Sequence, residues 1–152
     1  MKRLILALSA VLCAVLASGA RSGPIEEVAQ IAAPRLQALQ EGDLAAYVAA
    51  FADNATFHSA LAPYRIDGKE AIRAYLAHLF EVYPKRRVLS RQPSMRAFND
   101  DLVMQNAYSV LYLTDQQGQV TKTAVQSSLT WAKLAGRWQI VDQHNSRLQM
   151  GP

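Results

Sequence analysis

The sequence predicts an α+β domain with its helices first and its sheet second. Apolar residues recur at helical spacing as far as Pro84, and from Lys85 the period changes to two. Four long alternating segments then follow one another, separated only by short turns, which makes an antiparallel meander. Segregated helices and strands of this kind pack as helices on one face of a single sheet.

The N-terminus is set aside first. Lys2 and Arg3 precede an apolar run from Leu4 to Leu16, and Ser18-Gly19-Ala20 supplies small residues for cleavage. Residues 1–20 therefore read as a secretory signal peptide, too short and wrongly flanked for a membrane anchor. An exported protein, periplasmic or secreted, is expected, with no membrane association once the signal is cleaved. The only cysteine, Cys13, lies inside this segment, and the residues before it (Ala10, Val11, Leu12) do not form a lipidation site. Residues 21–152 make one domain of 152 − 20 = 132 residues, without a disulfide and long enough for a core of its own. Removing the signal takes two of 16 basic residues, leaving 14 against 12 acidic, a net charge of +2. So small an excess gives no reason to expect a nucleic-acid partner.

Pro24 to Glu41 carries Ile25, Val28, Ile31, Leu36 and Leu39 at roughly helical spacing, with Pro34 predicting a kink or two pieces. Gly42 ends this segment and Asp43 caps the next, whose stripe is Leu44, Tyr47, Val48 and Phe51. Asp53-Asn54 turns the chain into a short strand from Ala55 to Ser59. A loop with Pro63, Tyr64 and Arg65 follows, placed to roof the mouth of a cavity. Asp67-Gly68-Lys69-Glu70 reads as a capping box with Asp67 as N-cap, opening a helix with Ile72, Tyr75, Leu76, Leu79 and Tyr83 on one side. The strands are Arg86 to Phe98, Leu102 to Thr114, Val120 to Lys133 and Arg137 to Arg147. The basic run Lys85-Arg86-Arg87 reads as a guard against edge-to-edge aggregation.

The last hairpin holds the most chemistry. On its second strand Trp138, Ile140, Asp142, His144 and Ser146 alternate, and so are expected to share one face with an apolar floor and a polar mouth. Asp142 and His144 lie about 6.5–7 Å apart along such a strand. As catalytic residues, His144 would be the general acid or base and Asp142 would set its tautomer. The plainer and favoured alternative is a hydrogen-bonded structural pair, because structural networks also join such groups. His58, Tyr64, Tyr108, Tyr112, Trp131 and Trp138 are the candidate ligand-binding residues, each with core packing or a solvated loop as the alternative. No cluster has metal-ligand spacing, no glycine-rich loop could cradle a cofactor's phosphates, and no serine sits in a nucleophile elbow, so neither metal nor cofactor is expected.

The order of elements, the stretch IDGKEAIRAYL and the ending W-x-I-V-x-x-H-x-S resemble the nuclear-transport-factor-2-like superfamily. Within it, the chain is most similar to the SnoaL-like branch related to the association domain of calcium/calmodulin-dependent kinase II. The resemblance covers essentially all of the mature chain. It implies a cystatin-like, cone-shaped barrel: a curved, mostly antiparallel sheet wrapped around helices and enclosing a pocket, often dimeric through the sheet. The superfamily holds isomerases, cyclases, dehydratases, transport adaptors and oligomerisation domains, so the fold does not name an activity. The kinase domain places arginines in its pocket where this chain has Ser109 and Leu129, so carboxylate binding by that arrangement is not expected. Two functions stay open. One is a pocket protein for an apolar small molecule, with or without cofactor-free proton transfer. The other is a non-catalytic association module. A homodimer packed sheet to sheet is expected, because Tyr108, Tyr112, Met104 and Val110 share a face too apolar for water.

Overall fold

The computed structural model describes residues 22–149. The expected signal segment, Cys13 included, lies outside the described residues. No helix among the described residues is long and apolar enough to cross a membrane.

Helix α1 (Pro24–Glu41) begins with proline in its first turn and with Glu26 and Glu27 against the positive end of its dipole. It runs through Pro34 as one helix of 18 residues, not two pieces. Gly42 closes it in the left-handed region at φ 88°, its N–H donating to the carbonyl of Ala38. The Asp43 carboxylate accepts from the N–H of Ala46 at 2.9 Å, capping α2 (Leu44–Ala49) as the sequence predicts. Phe51, however, does not complete the α2 stripe. It opens β1 (Phe51–His58), because the backbone here is taken into the sheet: the N–H of Ile140 donates to the carbonyl of Ala50 at 2.7 Å.

A second correction concerns the roof loop. Arg65 and Ile66 belong to a short strand, β2 (Arg65–Asp67), paired antiparallel to β1. Only Tyr64, 64% exposed, remains in the loop ahead of it. Asp67 does not cap α3 (Lys69–Val82). Gly68 takes the N-cap position without a side-chain hydrogen bond, and the Asp67 carboxylate pairs with Arg65 at 2.8 Å.

The meander comprises β3 (Lys85–Asn99), β4 (Leu102–Thr114), β5 (Val120–Leu134) and β6 (Arg137–Arg147), all antiparallel to their neighbours. β1 then joins β6 in parallel, giving one six-stranded mixed sheet in the order β2-β1-β6-β5-β4-β3. The sheet is not closed, since β2 and β3 form its two edges. The helices cover one side of it. Their core with the sheet includes Val28, Val48, Phe51, Ile72, Leu76, Val103, Trp131 and Ile140, all under 3% exposed. Arg86 is not an edge guard. It turns inward, donating to the carbonyls of Leu39, Phe80 and Tyr83 at the C-terminal ends of α1 and α3, where the helix dipoles favour a cation. Arg87, the next residue along the strand, keeps to the other side of β3, over the Tyr112 ring.

Candidate functional site

A bulge in β6 decides what each side of the sheet carries. Trp131 lies opposite Ile140, but the preceding Thr130 lies opposite Asp142, so Val141 is an extra residue. One extra residue in a strand moves every later side chain to the opposite face. Trp138 and Ile140 are buried on the helix side; beyond the bulge Gln143 takes that side, buried and bonded to α1. Asp142, His144 and Ser146 point to the open side. The single face expected for Trp138 through Ser146 is thus two half-faces.

On the open side, Asp142 lies opposite Thr56 of β1 and accepts a hydrogen bond from its hydroxyl. His144 lies opposite His58, the rings stacked with centroids 5.0 Å apart and planes 24° from parallel. A ring nitrogen of His144, Nε2, is 2.9 Å from the Ser146 hydroxyl. Asp142 and His144 therefore each have their own partner, and no hydrogen bond joins them. Tyr108, 44% exposed, and Tyr112, with the Arg87 guanidinium over its ring at 5.7 Å, lie on the same open side. The two tryptophans do not. Trp131 is fully buried and donates to Gln105 at 2.9 Å, while Trp138 donates to Glu27 at 2.6 Å. Both are core residues holding helix to sheet. The eight residues singled out in the sequence thus occupy the open side, the core and one loop.

The helix side holds a polar group that sequence reasoning passed over. Arg35 of α1 is only 8% exposed. Its Nε donates to the carbonyl of Tyr47 at 3.1 Å and its Nη2 to Gln143 Oε1 at 2.8 Å. The guanidinium lies over the Tyr47 ring at 4.0 Å and the Phe51 ring at 4.9 Å. Burial lowers the pKa of this group, with Tyr47 acting in the opposite direction. Gln143 also reaches Asn145, at 3.4 Å. Asn145 lies opposite Ser127 of β5, which lies opposite Ala107 of β4. These small side chains lie on the helix side of the sheet yet stay partly accessible. Gln105 and Ser109 are on the same side of β4. One sequence signal was available for Arg35: it stands seven residues after Val28 and three before Ala38, on the buried stripe of α1.

Two clefts open at the surface. One of about 550 Å³ lies between α1 and the β5–β6 turn, lined by Glu27, Ile31 and Trp138 among others. The other, about 310 Å³, opens where β6 ends, beside Thr123 and Arg147. Neither is lined by Arg35, Asp142 or His144. Among the described residues no three His, Cys, Asp or Glu side chains are grouped to hold a metal ion.

The sequence pattern of the calcium/calmodulin dependent protein kinase II association domain matches residues 25–149. The chain belongs to that family. Solved structures agree on the fold. An association-domain candidate from Xanthomonas campestris superposes with a TM-score of 0.73 at 20% identity, covering 84% of this chain and 89% of that one. A candidate dehydratase of the NTF2-like family from Streptomyces avermitilis gives a TM-score of 0.73 at 11% identity, covering 84% and 98%. A candidate aromatic ring hydroxylase from Novosphingobium aromaticivorans gives 0.73 at 15%, covering 85% and 94%. At such identities the likeness is one of fold alone. A comparison with curated proteins finds no match. For this family member the expected α+β, cystatin-like architecture is what the structure shows, as a mixed sheet that stays open.

Proposed function

We propose that this association-domain family member binds a small molecule in the recess between α1 and the helix side of β4–β6. The observation that carries the reading is a break in the apolar series on that side. Ala107, Ser127 and Asn145, opposed across β4, β5 and β6, stay partly accessible between the buried Leu129 and Val125. A sheet needing only burial would fill that row with larger apolar side chains. The ligand has an apolar body, and its polar end meets amides, hydroxyls and Arg35.

Binding is favoured over catalysis. Dehydration, the activity named for the Streptomyces avermitilis neighbour, needs a proton donor and an acceptor in reach of the substrate. The recess offers amides, hydroxyls and a guanidinium, none of which exchanges protons readily near neutral pH. Asp142 and His144 are on the far side of the sheet. The test is native mass spectrometry of protein purified from its own host, beside a Ser127→Phe variant that fills the recess. A retained small molecule in the parent, absent from a folded variant, is the expected result. A ligand carried equally by both would place the site elsewhere.

A second reading is association of two copies through the open side, where Tyr108 is 44% exposed and Tyr112, Met104 and Val110 share its face. Sedimentation should then show a homodimer at roughly tens of micromolar, and a monomer there would count against it. Export is part of the proposal, and N-terminal sequencing of secreted material should begin near Arg21.

A further inference from the structure

Strand β5 outruns its neighbour. β6 ends with Arg147 opposite Val125, and the N–H of Leu148 donates to the carbonyl of Ala124 at 2.9 Å. From there back to Val120, β5 is paired with β4 alone among the described residues. The cleft of about 310 Å³ lies along this free edge, and so collects side chains from both faces of β5. Its apolar lining is Val110, Ala124 and Leu148, all partly buried. Its polar lining is Lys122, Arg147 and the hydroxyls of Thr121 and Thr123.

Two observations separate this cleft from ordinary charged surface. Thr123 is only 6% exposed, yet its hydroxyl makes no hydrogen bond among the described residues. Every side-chain oxygen sealed from solvent among them has a partner, so this hydroxyl opens onto the cleft. A position that needed only packing would hold valine, which has nearly the same shape and no unpaired oxygen. The second observation is the charge. Neither Lys122 nor Arg147 meets a carboxylate within ion-pair distance among the described residues. Lys122 lies opposite Tyr112, and the Arg87 guanidinium over that ring adds a third cation to the row. The acids nearest in sequence are engaged elsewhere: Asp115 accepts from the N–H groups of Gln117 and Gln119, and Asp142 from Thr56.

Like charges gathered without a counter-charge repel, and an arriving anion removes that repulsion. Ammonium, guanidinium and hydroxyl all donate, and a tetrahedral oxyanion accepts from several sides at once. We propose that this cleft binds a phosphate monoester of a small apolar alcohol. Lys122, Arg147 and the Thr123 hydroxyl hold the phosphate, and Val110, Ala124 and Leu148 receive the apolar body. The volume is at the lower end for small-molecule pockets and suits a single ring or a short chain. This site is separate from the proposed recess, since neither Arg35 nor Ser127 lines it.

The test is calorimetric titration of the purified protein with phenyl phosphate, inorganic phosphate and phenol. Phenyl phosphate should bind below millimolar concentration, and the other two about tenfold more weakly. Lys122→Gln and Arg147→Gln, both at exposed positions, should each weaken phenyl phosphate about tenfold, and Thr123→Val about threefold. Arg91→Gln, opposite Tyr108 on the open side, controls for general attraction to a basic surface and should change affinity by less than about twofold. Ser127→Phe should also leave it unchanged. Equal losses in Arg91→Gln and Lys122→Gln would overturn the site, as would full affinity in Thr123→Val or no binding of phenyl phosphate at millimolar concentration. Loss in Ser127→Phe would overturn it in favour of the recess. Inorganic phosphate binding as tightly as phenyl phosphate would overturn the monoester in favour of the free ion.

Discussion

His58 and His144 stack on the open side of the sheet with ring centroids 5.0 Å apart, because they occupy directly opposed positions on the parallel strands β1 and β6. That contact ties the first strand of the chain to the last. It also puts both imidazoles across the sheet from Arg35 and the recess. His144→Gln should therefore leave the small molecule retained on purification in place, while the lost ring contact lowers stability by about 0.5–1.5 kcal/mol. Urea unfolding and native mass spectrometry on the same variant check this. Loss of the retained molecule with unchanged stability would return His144 to the site.

Gln143 is the sheet's acceptor for Arg35, at 2.8 Å. Gln143→Leu keeps a similar volume but leaves the buried guanidinium with one fewer partner. An unsatisfied buried polar group costs about 1–3 kcal/mol, more when charged, and chemical denaturation should show a loss at least that large. The double variant Arg35→Met, Gln143→Leu should recover part of it, because two apolar groups satisfy one another where a stranded cation cannot. Simple addition of the two single losses would mean that the pair is not coupled.

Tyr75 gives the protein a predicted alkaline limit. Its hydroxyl is half-buried, and desolvation raises its pKa above the ordinary 10.0, with the Ser59 hydrogen bond at 2.8 Å acting the other way. The folded state thus holds this proton more tightly than the unfolded chain does. Its contribution to stability is complete below the unfolded pKa, near 10.0, and is lost as pH rises through the folded value. Urea midpoints from pH 8 upward should fall more steeply for the parent than for Tyr75→Phe. Parallel curves would show that Tyr75 ionises as freely in the fold as out of it.

Much of the fold was legible in the chain. Helix periodicity, the Gly42 terminator, the Asp43 cap and the four meander strands are local properties, written in residue spacing and turn chemistry. Their observed limits lie within about two residues of those read from the sequence, the scale on which helix and strand ends are defined. The family was legible too, because it rests on the order of those same elements. The errors have a common cause. Phe51 continues a helical stripe by spacing, yet β6 pulls it into a parallel pair that no local pattern announces. Arg65 and Asp67 look like loop and cap, yet pairing with β1 makes them a strand.

The candidate site depended on tertiary structure most of all. The sequence by itself determined which side chains with chemistry stand on β6, and that they alternate. It did not determine on which side of the sheet they end, because one unpaired residue, Val141, exchanges the faces, and a bulge is defined only by the register against the neighbouring strand. The sequence likewise placed Arg35 on the buried stripe of α1. Only the packed structure decided that it bonds to Tyr47 and Gln143 there, and that small residues on β4 and β5 stay partly accessible on the same side of the sheet. Alternation and helical spacing act between residues a few positions apart, so the chain carries them locally. Register and charge pairing act between strands and helices far apart in sequence, and exist only once those elements have met.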